Sequence, residues 1–383
     1  MTKETIKYFF VAGETSGDIH GGKLISAIKR LDPNSSFMGH GGENMKNSGM
    51  QILEHTDNLG IMGFIEVIKH LPKMMQIMGK TVDTIARTKP DRIVLIDYPG
   101  FNLRLAKNTQ HLNIPITYFI LPQSWAWKEK RVETMKSTLD QALSIFPFEQ
   151  EWYESRGLPT NYIGHPFVET IYTNESPQEY FTRHGFNASY PILLLLPGSR
   201  RQEIESHWPV FLKTVDLLKN KIDNLQVVVA PAPGITLNHI PENFKIELNA
   251  RKAMTSATAA IVSSGTATLE CAVAETPIVV CYKFSLLSWL LTKLMTNIHY
   301  ASIVNLIADD AIVPEYLQNK MTPENLAAAV EPLLDTSNAK RKKMLTGFDT
   351  VRRTLGMPGV YGRAAEAIVS RNKKLCENLI PVL

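Results

Sequence analysis

Cysteine is scarce: the 383 residues hold three, Cys271, Cys281 and Cys376, with no C-x-x-C pair. That count rules out a disulfide framework, argues against structural zinc and suits a reducing compartment. Long apolar runs are missing as well. The most apolar stretch, Phe284–Leu291, is flanked by Lys283 and Lys293, far short of the roughly 20 residues a spanning helix needs. The opening MTKETIKYFFVAG carries no cleavage-site pattern and reads as a first strand rather than a secretory signal. Neither charge dominates: 41 Lys and Arg against 37 Asp and Glu leave +4, too mild for a nucleic-acid coat yet compatible with an anionic membrane surface. No Asp-x-Asp pair occurs, and no internal repeat or low-complexity segment stands out.

What is present is an alternation of strand-like and helix-like runs. Tyr8–Ala12, Arg92–Ile96, Ile116–Ile120 and Ala142–Phe146 read as strands in the first half. Ile192–Leu196, Leu225–Val229, Ala259–Val262 and Ile278–Cys281 repeat the signal in the second. Such alternation predicts βαβ units, and runs so continuously aliphatic predict strands buried on both faces. The expected class is therefore α/β, with two doubly wound Rossmann-like domains facing a cleft and ligands at the carboxyl ends of the strands. The expected division is an N-terminal domain over 1–165, a linker over 166–190 and a C-terminal domain over 191–350. From Thr322 the pattern turns helical, and 351–383 should be a helical segment packing back on the N-terminal domain or on a partner chain.

Several post-strand loops carry chemistry. Gly13-Glu14-Thr15-Ser16-Gly17-Asp18 opens a helix where backbone N–H groups can receive a polar ligand, although a tight turn capped by Ser16 or Asp18 explains the same residues. Gly17–Lys23 matches G-x-x-x-x-G-K, but Leu24 stands where a P-loop needs a hydroxyl for Mg²⁺. Gly39-His40-Gly41-Gly42 lacks the third glycine of the dinucleotide fingerprint, because Asn44 occupies it. Asp97 follows four aliphatic residues and either caps a helix or works on a ligand. Trp125 and Trp127, beside Lys128, either line a sugar-binding wall or pack in the core. Pro197-Gly198-Ser199-Arg200 offers helix N–H groups and a guanidinium to a phosphate; a plain N-cap with solvated arginines is the other reading. In Ser264-Gly265-Thr266-Ala267-Thr268-Leu269-Glu270, small residues admit a pyrophosphate to a helix N-terminus, and Glu270 can accept from both ribose hydroxyls.

GETSGD, IDYPGFN, SWAWK, GHP, PGSR-x-x-E and SSGTATLE stand in the order and separation of the bacterial lipid-A-disaccharide synthases. The whole chain resembles that family. SGT-x-x-LE alone is similar to the nucleotide site of GT-B glycosyltransferases at large, including the peptidoglycan GlcNAc transferase. Tyr98 and Gly100 occupy variable positions of the Asp97 loop and carry no expectation.

The resemblance implies a GT-B fold and an inverting glycosyltransferase that joins UDP-2,3-diacylglucosamine to 2,3-diacylglucosamine 1-phosphate, releasing UDP and forming a β-1,6 disaccharide. It implies no metal or organic cofactor, so charge on the leaving group would fall to Arg200 and helix amides. Asp97 matches the family's general base. Glu14, Ser16 and Asn305 match loop positions expected to touch sugars or phosphate; Gly198, Ser199, Arg200, Ser264, Gly265, Thr266 and Glu270 are expected to hold the nucleotide.

Acyl chains call for an apolar surface, and Leu59–Ile68 with Leu71, Met74, Met75, Ile77 and Met78 is apolar nearly all round. Ile61, Phe64, Val67, Ile68 and Leu71 are the expected membrane contacts, with a core helix as the competing reading and Phe284–Leu291 as a second candidate. Expected partners are the two lipid substrates and the cytoplasmic face of the inner membrane, touched peripherally, without nucleic acid; a homodimer through the C-terminal segment is compatible. Two alternatives remain: another GT-B UDP-sugar enzyme such as a UDP-GlcNAc epimerase, and a nucleotide-binding module without chemistry, against which Asp97 argues.

Overall fold

The aliphatic runs become the sheet centres. Every residue of Arg92–Ile96, Ile192–Leu196 and Ala259–Ser263 is buried, as strands covered on both faces must be. In a computed structural model the chain divides into two compact units, Met1–Pro166 with Met357–Leu383, and Phe167–Gly356. The structure describes residues 5–59, 64–169, 175–283 and 300–379, except the side chains of 64–71 and 373–379.

The first unit is built on seven parallel strands: β1 (Lys7–Ala12), β2 (Ser36–Gly41), β3 (Gln51–His55), β4 (Arg92–Ile96), β5 (Ile116–Phe119), β6 (Gln141–Ser144) and β7 (Thr160–Tyr162). Their order is β3-β2-β1-β4-β5-β6-β7, so the winding reverses between β1 and β4, which is where doubly wound sheets bind ligands. Helix α1 (Thr15–Leu31) follows β1 and packs on α2 (Glu43–Asn47). Gly22, one of the two glycines that mimic a P-loop, and its neighbour Gly21 serve this packing: a Cβ would sit 2.8 Å from the Asn44 carbonyl oxygen on the first and 2.6 Å from Met45 Sδ on the second. Helix α3 (Phe64–Thr88) turns Ile77 and Ile85 into the core and leaves Met75 exposed. Of the expected membrane contacts, Ile61 lies outside the described residues, as do the side chains of Phe64, Val67, Ile68 and Leu71 and the whole of Phe284–Leu291. Among the described residues no helix is long and apolar enough to cross a membrane.

The C-terminal helix Val360–Leu379 belongs to this first unit and packs against α1. A buried polar network holds it there. Arg92 is fully buried and donates to Asn372, to Thr117 Oγ1 (2.9 Å) and to Asp140 (2.8 Å). Asn372 in turn donates to the Tyr8 hydroxyl at 3.1 Å, and Arg371 pairs with Asp140 at 3.0 Å. Strands β1, β4 and β5 and the turn entering β6 are thus tied to a helix from the far end of the chain.

The second unit has six parallel strands: β8 (Ile192–Leu196), β9 (Gln226–Val229), β10 (Lys245–Ile246), β11 (Ala259–Ser263), β12 (Ile278–Tyr282) and β13 (Glu315–Leu317), in the order β10-β9-β8-β11-β12-β13. The winding again reverses beside the first strand, here between β8 and β11. Within the expected linker, Pro177–His184 forms α7, opened by a capping box in which Ser176 and Glu179 bond reciprocally. Its Arg183 and His184 hold Glu247 at 2.6 and 3.1 Å, so the segment is part of the second unit's packing.

Replacing Arg92 with Leu removes the cation and leaves the buried Asn372 carbonyl oxygen without its donor, while Asp140 keeps only Arg371. Chemical denaturation should show a loss of about 3–5 kcal/mol, the usual cost of breaking a buried pair from one side.

Candidate active site

In the first unit both loops at the reversal point carry carboxylates. The backbone turns sharply after β4: Asp97 and Tyr98 are both left-handed, with φ of 44° and 48°. Side chains over-determine this turn. The carbonyl oxygen of Asp97 accepts from Asn102 Nδ2 at 2.7 Å and from the Tyr118 hydroxyl at 2.6 Å, while Asn102 itself is fully buried. The Tyr98 ring lies against the Gly13 backbone, where a Cβ would come within 2.1 Å of it, and its hydroxyl donates to the Leu59 carbonyl at 2.8 Å. Helix α4 (Pro99–Thr109) starts immediately afterwards.

Burial raises the Asp97 carboxyl to a pKa of about 6, the nearby charge of Glu14 adds to the rise, and the Tyr98 amide and Arg131 oppose it. A base poised there is largely ionised at neutral pH yet keeps useful proton affinity. Glu14 precedes α1 as its N-cap residue without a side-chain cap bond, and Ser16 is exposed in the first turn. Asp18 does not cap its own helix. It is buried and accepts from the amides of Gly42 (2.7 Å), Asn44 (3.0 Å) and Met45 (3.0 Å), so it caps α2 instead.

Sequence reasoning missed Glu149, the first residue of helix α6 (Glu149–Glu154), which directly follows β6 and its turn. It is fully buried, accepts from Trp125 Nε1 at 3.0 Å and is pushed up to about 8 by burial. A carboxyl opening a helix resembles an ordinary dipole partner, so only burial distinguishes it. The two tryptophans separate accordingly: Trp125 is held inward against Phe148, at 5.0 Å between ring centres, whereas Trp127 faces outward.

In the second unit the expected phosphate loop holds a carboxylate of its own. Gly198 has φ of 126°, and a Cβ there would come 2.5 Å from Glu203 Oε2. That oxygen accepts from the amides of Ser199 (2.8 Å) and Arg200 (3.2 Å). These two N–H groups, expected to be open to an anion, are met from within by a residue in the first turn of helix α8 (Arg201–Lys219). The Arg200 side chain is largely exposed and touches Glu203 Oε1 at 3.2 Å. Helix α10 (Thr266–Val273) differs: Gly265, at φ 142°, provides no side-chain cap, and Gly265 and Thr266 are exposed. An uncapped first turn leaves amides for solvent or ligand. Behind it, Ser264 Oγ donates to the Ala301 carbonyl at 2.9 Å.

Glu270 is half-buried and pairs with Arg251 at 2.9 Å, a partner the sequence did not single out. Asn305 is turned inward. It is 1% exposed, and its amide is engaged by Val313 and by Glu315 Oε1, the latter at 2.8 Å. In this arrangement it shapes its own loop. His207, also unforeseen, is fully buried and links three strand ends: Nδ1 meets the Pro197 carbonyl (3.0 Å) and the Ser263 hydroxyl (3.2 Å), and Nε2 accepts from the Lys283 amide (3.0 Å). Its E-x-x-x-H spacing from Glu203 places the two on one helix face.

The profile of the Lipid-A-disaccharide synthetase family matches residues 8–357. The chain belongs to that family. A lipid-A-disaccharide synthase of Myxococcus xanthus is 36% identical over 367 residues, covering 94% of this chain and 96% of the relative. Among solved structures, the calicheamicin glycosyltransferase superposes with a TM-score of 0.61 at 14% identity, covering 97% of this chain and all of that one. UDP-GlcNAc 2-epimerase from Neisseria meningitidis, bound to UDP-GlcNAc, does so with 0.59 at 12%, covering 96% of this chain and all of the other. Such distant likenesses establish the fold: α/β of the GT-B class, with two doubly wound parallel sheets. Family membership makes the chain a glycosyltransferase of lipid A biosynthesis.

Since burial raises the Asp97 pKa, its ionisation costs the folded state. Asp97→Asn should be more stable than the parent above pH 6, on the order of 1–3 kcal/mol. The gap should close as pH falls from about 6 to about 4, where the parent carboxyl is neutral in the fold; denaturant titrations across that range measure it.

Proposed function

We propose that the protein condenses UDP-2,3-diacylglucosamine with 2,3-diacylglucosamine 1-phosphate, giving the β-1,6 disaccharide 1-phosphate and UDP with inversion. The observation that carries this reading is Asp97 itself, a carboxylate at the carboxyl end of β4 with pKa near 6, in a chain of this family. Asp97 takes the proton from the acceptor's primary hydroxyl as that oxygen attacks the anomeric carbon from the face opposite UDP. Glu14, whose charge bears on Asp97, and Ser16, exposed in the first turn of α1, contact the acceptor. In the second unit, the exposed Arg200 guanidinium and the uncapped start of α10 meet the charge growing on UDP, with no metal. The loop of Gly198 and Ser199 supports that guanidinium, Ser264, Gly265 and Thr266 form the approach to the α10 amides, and Glu270 accepts from the ribose hydroxyls. Asn305 keeps the neighbouring loop in shape.

The acyl chains of both substrates require work at a bilayer surface, so the protein docks peripherally on the cytoplasmic side of the inner membrane. The family identity of 36% over most of the chain favours this reading over other UDP-sugar chemistry.

Incubation with the two lipids should yield UDP and disaccharide; a protein that turns over deacylated donor equally well would belong to another activity. Asp97→Asn should lower turnover by roughly 10²-fold or more and abolish the acidic limb of the pH–rate profile near 6. Glu270→Ala should weaken UDP binding by about 1.5–3 kcal/mol in a calorimetric titration.

A further inference from the structure

Trp127 carries two cations. Lys128 Nζ lies 4.6 Å from its ring centre and the Arg131 guanidinium carbon 5.1 Å from the same point, while the indole is 44% exposed. The backbone makes this arrangement: Lys128 adopts a left-handed φ of 60°, and its carbonyl accepts from the Arg131 amide at 3.0 Å, closing a turn that brings both side chains to one ring. The loop is braced from below by Trp125, bonded to the buried Glu149. Among the described residues, no carboxylate pairs with either cation; the intervening Glu129 is turned to Arg156 at 2.6 Å. Both cations are drawn to the same indole, and Arg131 is half-buried without a carboxylate partner, so an anion at this loop would offset the cost of burying it.

We propose that Lys128, Arg131 and Trp127 form the seat for the acceptor's sugar phosphate, the guanidinium and ammonium gripping the phosphate and the indole face supporting the pyranose. The inference rests on the reaction proposed above and adds how the acceptor is oriented. Its attacking hydroxyl must reach Asp97, and its phosphate stands one sugar ring away. The cationic site must therefore lie near Asp97 without neutralising it. Arg131 meets that condition, since it acts on Asp97 electrostatically but makes no ion pair with it. A planar guanidinium offers the two-pronged grip that phosphate oxygens accept best, and an indole supplies the flat apolar face that sugars stack on.

Soluble sugars test the seat without turnover. Calorimetric titration with glucosamine 1-phosphate should saturate, and glucosamine should bind at least tenfold more weakly. Arg131→Met and Lys128→Met should each weaken the phosphate sugar tenfold or more while leaving UDP affinity unchanged; the second, at an exposed position, keeps the test open if the first does not fold. In turnover, acceptor KM should rise tenfold with donor KM within twofold. Equal binding of the two sugars, or parental affinity in the folded variants, overturns the proposal. A parent that binds glucosamine 1-phosphate in this way but forms no disaccharide overturns the reaction and leaves the phosphate seat standing.

Discussion

A single carbonyl oxygen, that of Asp97, holds the first unit's chemistry in place. Two consecutive residues in the left-handed region cost about 1–2 kcal/mol each, and neither is glycine. The bonds from Asn102 and Tyr118 to that oxygen offset this cost and give the turn one conformation. Asn102 also reaches the carbonyls of Ile96 and Val11, so one buried amide joins the ends of β1 and β4 at the point where the sheet's winding reverses. From that anchor follow the start of α4, the seating of Tyr98 on Gly13 and the partly buried carboxyl whose proton affinity suits base catalysis.

Each unit then uses an internal carboxylate where its sequence advertises an anion site. Asp18 takes three amides around the Gly39–Gly42 stretch, and Glu203 takes two after Gly198. Both are fixed negative charges against helix starts, a favourable placement. Among the described helices of the second unit, α10 is the one whose cap is a bare glycine.

Central strands and post-strand loops were legible because both follow from local pattern: aliphatic runs at β4, β8 and β11, then polar residues at their carboxyl ends. The edge strands β10 and β13, and β2 next to an edge, were not. β10 has two residues and β13 three, and β2 is interrupted by Gly39 and Gly41, so none shows a strand-length run. The S-x-x-E spacing of Ser176 and Glu179 matches the capping box of α7 but lay in the stretch read as a linker. Glu149, His207 and Arg131 were illegible for a different reason: their roles arise from burial and from partners distant in sequence. Asn305 shows the converse, since a motif position can be read while the direction of its amide cannot.

The path of the chain has a consequence for biosynthesis. Unit one is interrupted after Pro166 and completed only from Met357, about 190 residues later. At ribosomal speeds that interval lasts roughly ten to forty seconds, during which Arg92 and Tyr8 have no Asn372 to bond and α1 lacks the helix that packs against it. The contiguous second unit can finish folding first. The nascent first half therefore waits with apolar surface and a buried-to-be cation unsatisfied, making it the stage of synthesis most exposed to aggregation and most in need of chaperone cover.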